Sequence, residues 1–328
     1  MSSGLLTVSS NKEKYRCFCQ STPDVPLFSK DWWLDAVSGA AGWDVAIVEK
    51  GGHIVGAMPY CFGRKYNFTL LTQPKLTQTL GPWIRPSSAK YAKALGQQKD
   101  IMHALIDQLP PFDHFSQKWH YSVTNWLPFY WRGFQQTTHY TYVLKEIADM
   151  NLLWDGLQEN IRTDIRKAEG RLGLEVRDDL GVDNFLRLNR LTFARQGKAL
   201  PYPEDLVRRI DRACASRGCR KIWIAQDDEG RNHAAAYVVW DKNSAYYLMG
   251  GGDPELRNSG ATSLCLWKAI GHAAMVTKSF DFEGSMIESV ERFCRGFGAV
   301  QTPYFKISKT PSILLRLRNM VRIFEGVS

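Results

Sequence analysis

Two acidic side chains stand two residues apart near the end of an apolar stretch, Ser279-Phe280-Asp281-Phe282-Glu283. On a strand that spacing puts Asp281 and Glu283 on one face. A carboxylate there can act as a general base, Glu283 first and Asp281 second. It can equally accept the hydrogen bonds that anchor the following turn. His233, at the head of an apolar stretch ending at Trp240, is a third proton acceptor and fits a structural place equally well. The other chemical feature is a glycine-rich bend: Tyr246-Tyr247-Leu248-Met249, then Gly250-Gly251-Gly252, then Arg257, Asn258, Ser259, Gly260, Ala261 and Thr262. Leu264, Leu266, Trp267 and Ile270 recur afterwards at helical spacing, and Asn258 and Ser259 offer capping oxygens. Such a helix start presents unpaired N–H groups and about half a positive charge, a seat for a phosphate. Arg257 stands beside it as a fixed cation. An unoccupied strand–turn–helix corner would carry the same letters.

Further residues are candidates for holding a substrate. Arg162, Arg166 and Lys167 fall at i, i+4 and i+5 and share one helix face. They suit a phosphate or, with Asp164 and Glu169 among them, a solvated salt-bridged surface. Arg195-Gln196-Gly197-Lys198, followed by Tyr202, is a polar loop between helices. Trp83, Trp126, Tyr130 and Trp131 lie in or near loops, where aromatic faces can stack on a sugar ring or simply join the core.

The elements that must carry these residues follow from pattern. In the first half, residues 1 to about 26 read as a lead-in strand and loop, and Phe28 to Val37 as a helix. Trp43 to Lys50 and His53 to Tyr60 form a hairpin about Gly51-Gly52. Phe68 to Leu71 is a short strand, Leu76 to Ile84 a loop, and Ser88 to Leu109 a helix interrupted near Gly96. Strands at Lys118 to Val123 and Tyr140 to Leu144 flank a short helix at Asn125 to Trp131. The second half repeats the order. Leu174 to Val176 is a strand, Val182 to Arg195 and Pro203 to Arg217 are helices, and Arg220 to Gln226 and His233 to Trp240 form a hairpin. The bend and its helix, strand 279–283, a short helix at Glu288 to Arg295 and a closing strand at Pro303 to Ile307 complete it. Phe129-Tyr130-Trp131-Arg132-Gly133-Phe134 before Tyr140 matches Arg292-Phe293-Cys294-Arg295-Gly296-Phe297 before Tyr304. The chain reads as a duplicated mixed α/β domain.

Each half runs strand–helix–helix, a strand meander, a bend into a helix, then strand–helix–strand. This order resembles the GNAT acyltransferase fold, and the pair resembles the FemAB-like double-GNAT group, including the BioF2-like acetyltransferase domain. The letters that carry the likeness are Ile161 to Glu169, Arg195 to Lys198 and Phe280 to Ser285. The resemblance implies a fold class of two tandem GNAT-like domains, each a mixed, mainly antiparallel sheet flanked by helices. They would span residues 1–148 on the acceptor side and 149–308 on the acyl-donor side. It implies an N-acyltransferase moving an acetyl-type group from acyl-CoA, as co-substrate, to the amine of an amino sugar in surface-polysaccharide synthesis. Leu248, Met249 and Gly250 would lie at the reacting carbon, where neighbouring strands splay and free a backbone N–H. Thr262 stands where the family's pyrophosphate loop has a second small residue, which keeps two rivals open. One is FemX-like aminoacyl transfer from a charged tRNA to a cell-envelope precursor. The other is a non-catalytic binding module.

The bulk numbers agree with a globular chain. Its 328 residues suit two domains. The formal charge of +9 favours acidic partners without choosing among them. No apolar run approaches the roughly 18 residues that span a bilayer, and Met1 to Lys12 lacks a secretory layout. Seven scattered cysteines point to reduced thiols and the cytoplasm. The histidines and cysteines show no ligand spacing, so no metal is expected. Residues 309–328 read as an amphipathic helix with Leu314, Leu317, Val321 and Phe324 on one side. Its stretch 311–325 would either pack on the protein or lie on the inner, anionic membrane surface.

Overall fold

A computed structural model describes residues 10–284 and 286–317, and these form two compact units. The first takes residues 10–139 with 303–317, and the second residues 140–302. The closing strand β12 (Val300–Lys309) thus enters the first unit from Pro303 onward.

In the first unit, helices α1 (Ser10–Ser21) and α2 (Asp31–Ser38) precede the hairpin β1 (Trp43–Lys50) and β2 (His53–Lys65). Strands β3 (Phe68–Thr72) and β4 (Trp83–Ile84), helix α3 (Tyr91–Asp107), strand β5 (His114–Lys118) and helix α4 (Leu127–Trp131) follow. The sheet order is β1-β2-β3-β5-β12, with β4 also on β2. Every pairing is antiparallel except β3 with β5. The lead-in is a helix rather than the expected strand, because Tyr15, Phe18 and Cys19 recur at helical spacing and are buried with Trp43. Helix α3 runs unbroken through Gly96, where a single glycine costs only about 1 kcal/mol.

The second unit starts within β6 (Gln135–Lys145) and continues through α5 (Met150–Gly156), α6 (Glu159–Arg166) and a π-helical turn at Lys167–Arg171. Next come β7 (Glu175–Arg177), α7 (Gly181–Ala194), α8 (Glu204–Ala215), β8 (Arg220–Gln226), β9 (Asn232–Trp240) and β10 (Ala245–Gly252). Helix α9 (Ala261–Val276), strand β11 (Ser279–Asp281) and helix α10 (Glu288–Arg295) complete it. The order β6-β11-β10-β9-β8-β7 is antiparallel throughout save for β10 with β11. A parallel neighbour demands a crossover, and α9 supplies it as α3 does in the first unit. Leu264, Leu266, Ile270, Phe280 and Phe297 are fully buried in a core confined to this unit. Each such side chain contributes about 1.5–3 kcal/mol by leaving water.

Candidate active site

Strands β10 and β11 hold register for two residues only, Ala245 opposite Phe280 and Tyr246 opposite Asp281. Beyond that point β10 runs on to Gly252 against β9, while Phe282 stays with β6, its N–H donating to the Tyr142 carbonyl at 2.9 Å. The β9–β10 register slips between Tyr247 and Met249, which leaves Leu248 in a bulge. Bulges re-aim side chains and free backbone groups. Tyr247 and Gly250 consequently share a face: a Cβ built on Gly250 would lie 1.9 Å from the Tyr247 hydroxyl oxygen. The expected residues Leu248, Met249 and Gly250 therefore sit where two neighbouring strands part.

Helix α7 closes part of that opening. Asn189 Nδ2 donates to the Gly250 carbonyl at 2.6 Å, and Tyr202 donates its hydroxyl proton to Asn189 Oδ1 at 3.0 Å. The Gly252 N–H donates to Thr192 Oγ1 at 2.9 Å. A Cβ on Gly251 would fall 2.6 Å from the Asn189 backbone nitrogen, so the glycine permits the helix to approach this closely. Of the loop residues expected to bind substrate, Tyr202 joins the site through Asn189, while Arg195, Gln196 and Lys198 are exposed at the end of α7.

The two carboxylates differ in kind. Asp281 is buried; it accepts a short hydrogen bond from the Thr141 hydroxyl and the Glu283 N–H at 2.8 Å. Burial pushes its carboxyl up to about 6, against those two hydrogen bonds. It anchors the turn rather than facing a cleft. Glu283 is half-buried with φ at +55°, and Gly284 follows at +38°. A non-glycine residue in the left-handed region stores about 1–3 kcal/mol and needs such an anchor to persist. His233 is turned to the β8–β9 hairpin, its Nε2 3.0 Å from Asp227.

The helix start after the bend is less open than its sequence suggests. Gly260, at φ +79°, is the N-cap, and the Ser259 hydroxyl one residue earlier accepts from the Ala261 N–H at 3.4 Å. The glycine is needed because a Cβ there would lie 2.2 Å from the Asp164 carbonyl oxygen of α6. Ser263 donates its hydroxyl proton to the Asp164 carboxylate at 3.3 Å, and Lys167 Nζ donates to the Asn258 carbonyl at 2.5 Å. Ser259, Gly260, Ala261 and Ser263 are buried, while Arg257 and Asn258 are exposed and Thr262 is intermediate. A carboxylate thus stands near the positive end of α9, the place where the sequence suggested a phosphate.

Other expected groups are spoken for locally. Arg162 and Arg166 both pair with Glu159, and Arg166 also lies over Trp154, so this face is salt-bridged. Trp83 packs edge-on against Phe18 in the first core. Trp126 meets Tyr130 at 5.5 Å between ring centres, and Tyr130 and Trp131 are exposed. In the first unit the corresponding parallel pair does not open. Gln73 follows β3, its N–H donates to the Ser116 carbonyl and its Oε1 accepts from the Lys118 N–H, and Leu80 bridges to Trp119. Of the C-terminal segment, Ile313, Leu314 and Leu317 are exposed; Val321 and Phe324 lie outside the described residues. Among the described residues no group of metal-ligating side chains occurs and no helix is long and apolar enough to cross a membrane.

Three groups at this site escape sequence reasoning, Thr141, Asn189 and Thr192, and Asp164 reads from sequence only as part of a solvated face. Asn189 alone leaves a signal, since an asparagine amid the apolar positions of a helix is costly without a partner.

The parting parallel pair, the bulge and the crossover helix define the fold class: two tandem GNAT-like units, each a mixed sheet flanked by helices. Residues 156–285, inside the second unit, match the acetyltransferase (GNAT) domain family. Among solved structures it is similar to FemX, with a TM-score of 0.67 and 13% identity over 91% of this chain and 96% of that one. It is also similar to the C-terminal domain of a protein assigned as a lysylphosphatidylglycerol synthetase from Agrobacterium fabrum (TM-score 0.55, 10% identity, 94% and 95% covered). A third is L-PGS from Bacillus licheniformis (TM-score 0.51, 11% identity, 94% and 96% covered). No curated protein matches the chain in sequence.

Proposed function

We propose that this protein is an N-acyltransferase that delivers an activated acyl group to the amine of a cell-envelope building block, an amino sugar being the first candidate acceptor. The observation that carries this reading is the parting of β10 from β11 after Tyr246 and Asp281. A carbonyl lodged there meets backbone N–H groups of β10 that β11 no longer pairs, and such donors stabilise the oxyanion of acyl transfer. Glu283 is the general base of this reading, and Asp281 positions it through the Glu283 N–H. Arg257, Asn258 and Thr262 are the groups left to meet a donor's phosphates.

Two donor classes compete, and one observation favours the second. Acyl-CoA, the first expectation, needs an anion seat at the start of α9, where Asp164 already stands. Aminoacyl-tRNA needs no pyrophosphate there, and the charge of +9 suits an RNA backbone. The FemX and lysylphosphatidylglycerol synthetase likenesses sit comfortably with that choice. The test is transfer of labelled acyl groups to hexosamine and peptide amines, from acetyl-CoA in one arm and mixed aminoacyl-tRNA in the other. Labelled product only with tRNA, lost in Glu283→Gln, is expected. Product only with acetyl-CoA would reverse the donor assignment. Ligand binding without turnover in either arm would leave a binding module.

A further inference from the structure

Helix α8 ends in a turn whose hydrogen bonds are specific. The Cys219 N–H donates to the Cys214 carbonyl at 3.1 Å, and the Gly218 N–H donates to the Ala215 carbonyl at 3.0 Å. Gly218 has φ +60°. This six-to-one and five-to-two pairing with a left-handed glycine is the Schellman motif, and it brings the side chains at its two ends into contact. Ordinarily that contact is between two hydrocarbon groups. Here both are thiols, Cys214 and Cys219.

The two sulfurs are not equivalent. Cys214 is buried, whereas Cys219 is only partly covered. The Cys219 thiol donates to the Cys214 carbonyl at 3.5 Å. A hydrogen bond from the Cys214 thiol, with Arg217 nearby, draws the Cys219 thiol below its ordinary range, and the same bond together with burial pushes Cys214 up. A thiol that ionises readily at an accessible position attacks oxidants, and a thiol held against it resolves the product.

We propose that Cys214 and Cys219 form a peroxide-responsive pair, Cys219 attacking and Cys214 resolving, that closes to an intrachain disulfide across the end of α8. In the first step the Cys219 thiolate bonds to one oxygen of hydrogen peroxide. The O–O bond breaks, the other oxygen leaves as water after taking up a proton, and Cys219 becomes a sulfenic acid. In the second step the Cys214 sulfur bonds to the Cys219 sulfur. The S–O bond breaks, and the hydroxyl leaves as water with the proton from Cys214. Two thiols are oxidised and one peroxide is reduced. A cellular dithiol reverses the change by exchange.

The experiment uses the full chain carrying Cys17→Ser, which removes an exposed thiol. After hydrogen peroxide the protein is alkylated in denaturant and digested with trypsin, which cuts after Arg217, between the two cysteines. Expected is the loss of two alkylatable thiols, a disulfide-linked pair of peptides Ala213–Arg217 and Gly218–Arg220, and recovery of both thiols with dithiothreitol. Cys214→Ser should carry Cys219 on to sulfinic acid, and Cys219→Ser should leave Cys214 unmodified. A Cys17→Ser chain that retains both thiols, or oxidises Cys219 without joining it to Cys214, overturns the proposal. Equal reactivity of Cys214 in Cys219→Ser overturns the division of roles.

Discussion

Asp281 and Gly260 show how single residues set the local chemistry. Asp281 is fully buried and its folded proton affinity is raised, from the ordinary 3.8 to about 6. The native state therefore binds the proton more tightly than the unfolded chain does. The stability this gives is complete below pH 3.8 and is lost as pH rises to about 6, beyond which the contribution is flat. The shift corresponds to roughly 3 kcal/mol. Asp281→Asn keeps an acceptor for Thr141 and for the Glu283 N–H while removing the titration. Urea denaturation between pH 4 and 7 should show the variant with a flatter profile than wild type; parallel profiles would refute the assignment. Gly260→Ala adds a methyl group against the Asp164 carbonyl at a left-handed position, and should cost roughly 3 kcal/mol. Gly197, at φ +66° with open space around it, should lose only about 1 kcal/mol on the same change. Equal losses in the two variants would mean that α6 does not press on the α9 start.

At the scale of elements, α7 acts as a clip on the freed edge of β10. Asn189→Ala strips the Gly250 carbonyl and the Tyr202 hydroxyl of their partner at a buried position, at a cost of about 2–3 kcal/mol. Thr192→Ser retains the hydroxyl that meets Gly252 and should be nearly silent. Denaturant midpoints check both, and a silent Asn189→Ala would mean the edge finds other partners. The clip also shows where sequence legibility stops. The β8–β9 hairpin about Asp227-Asp228-Glu229-Gly230, the apolar run of β10 and the 3.6-residue rhythm of α9 are local, and their positions were readable. The repeated Arg-Gly-Phe was readable as a left-handed exit only after α4, where Gly133 has φ +76°; after α10 Gly296 stays helical and Gly298 makes the turn. Helix α1 was misread because Tyr15, Phe18 and Cys19 sit among polar letters, although their spacing is helical. The cover over Gly260 and the Asn189 clip join residues roughly 60 to 100 positions apart, and no local pattern encodes such a contact. The glycines record it only as a permission.

On the scale of the whole chain, the closing strand belongs in space with residues far from it in sequence. From Lys306 to Lys309, β12 pairs with Lys118 back to Phe115. Ile307 is fully buried beside Phe115 and Trp119 in the core of the first unit. The Trp119 N–H donates to the Phe305 carbonyl at 2.8 Å. A chain stopped after Thr302 therefore removes a strand from the first unit, exposes the edge of β5 and opens the core around Phe115. The core of the second unit draws all its members from residues 142–299 and loses none. Hydrogen exchange should show amide protection lost at Gln117 and Trp119, whose N–H groups face β12, in the shortened chain and retained in β8, β9 and the start of β10. A chain stopped after Lys309 should keep both, since the paired residues remain. Protection lost equally in β9 and β5 would mean that the two units unfold together, and protection kept in β5 would mean that β12 is dispensable to the sheet it closes.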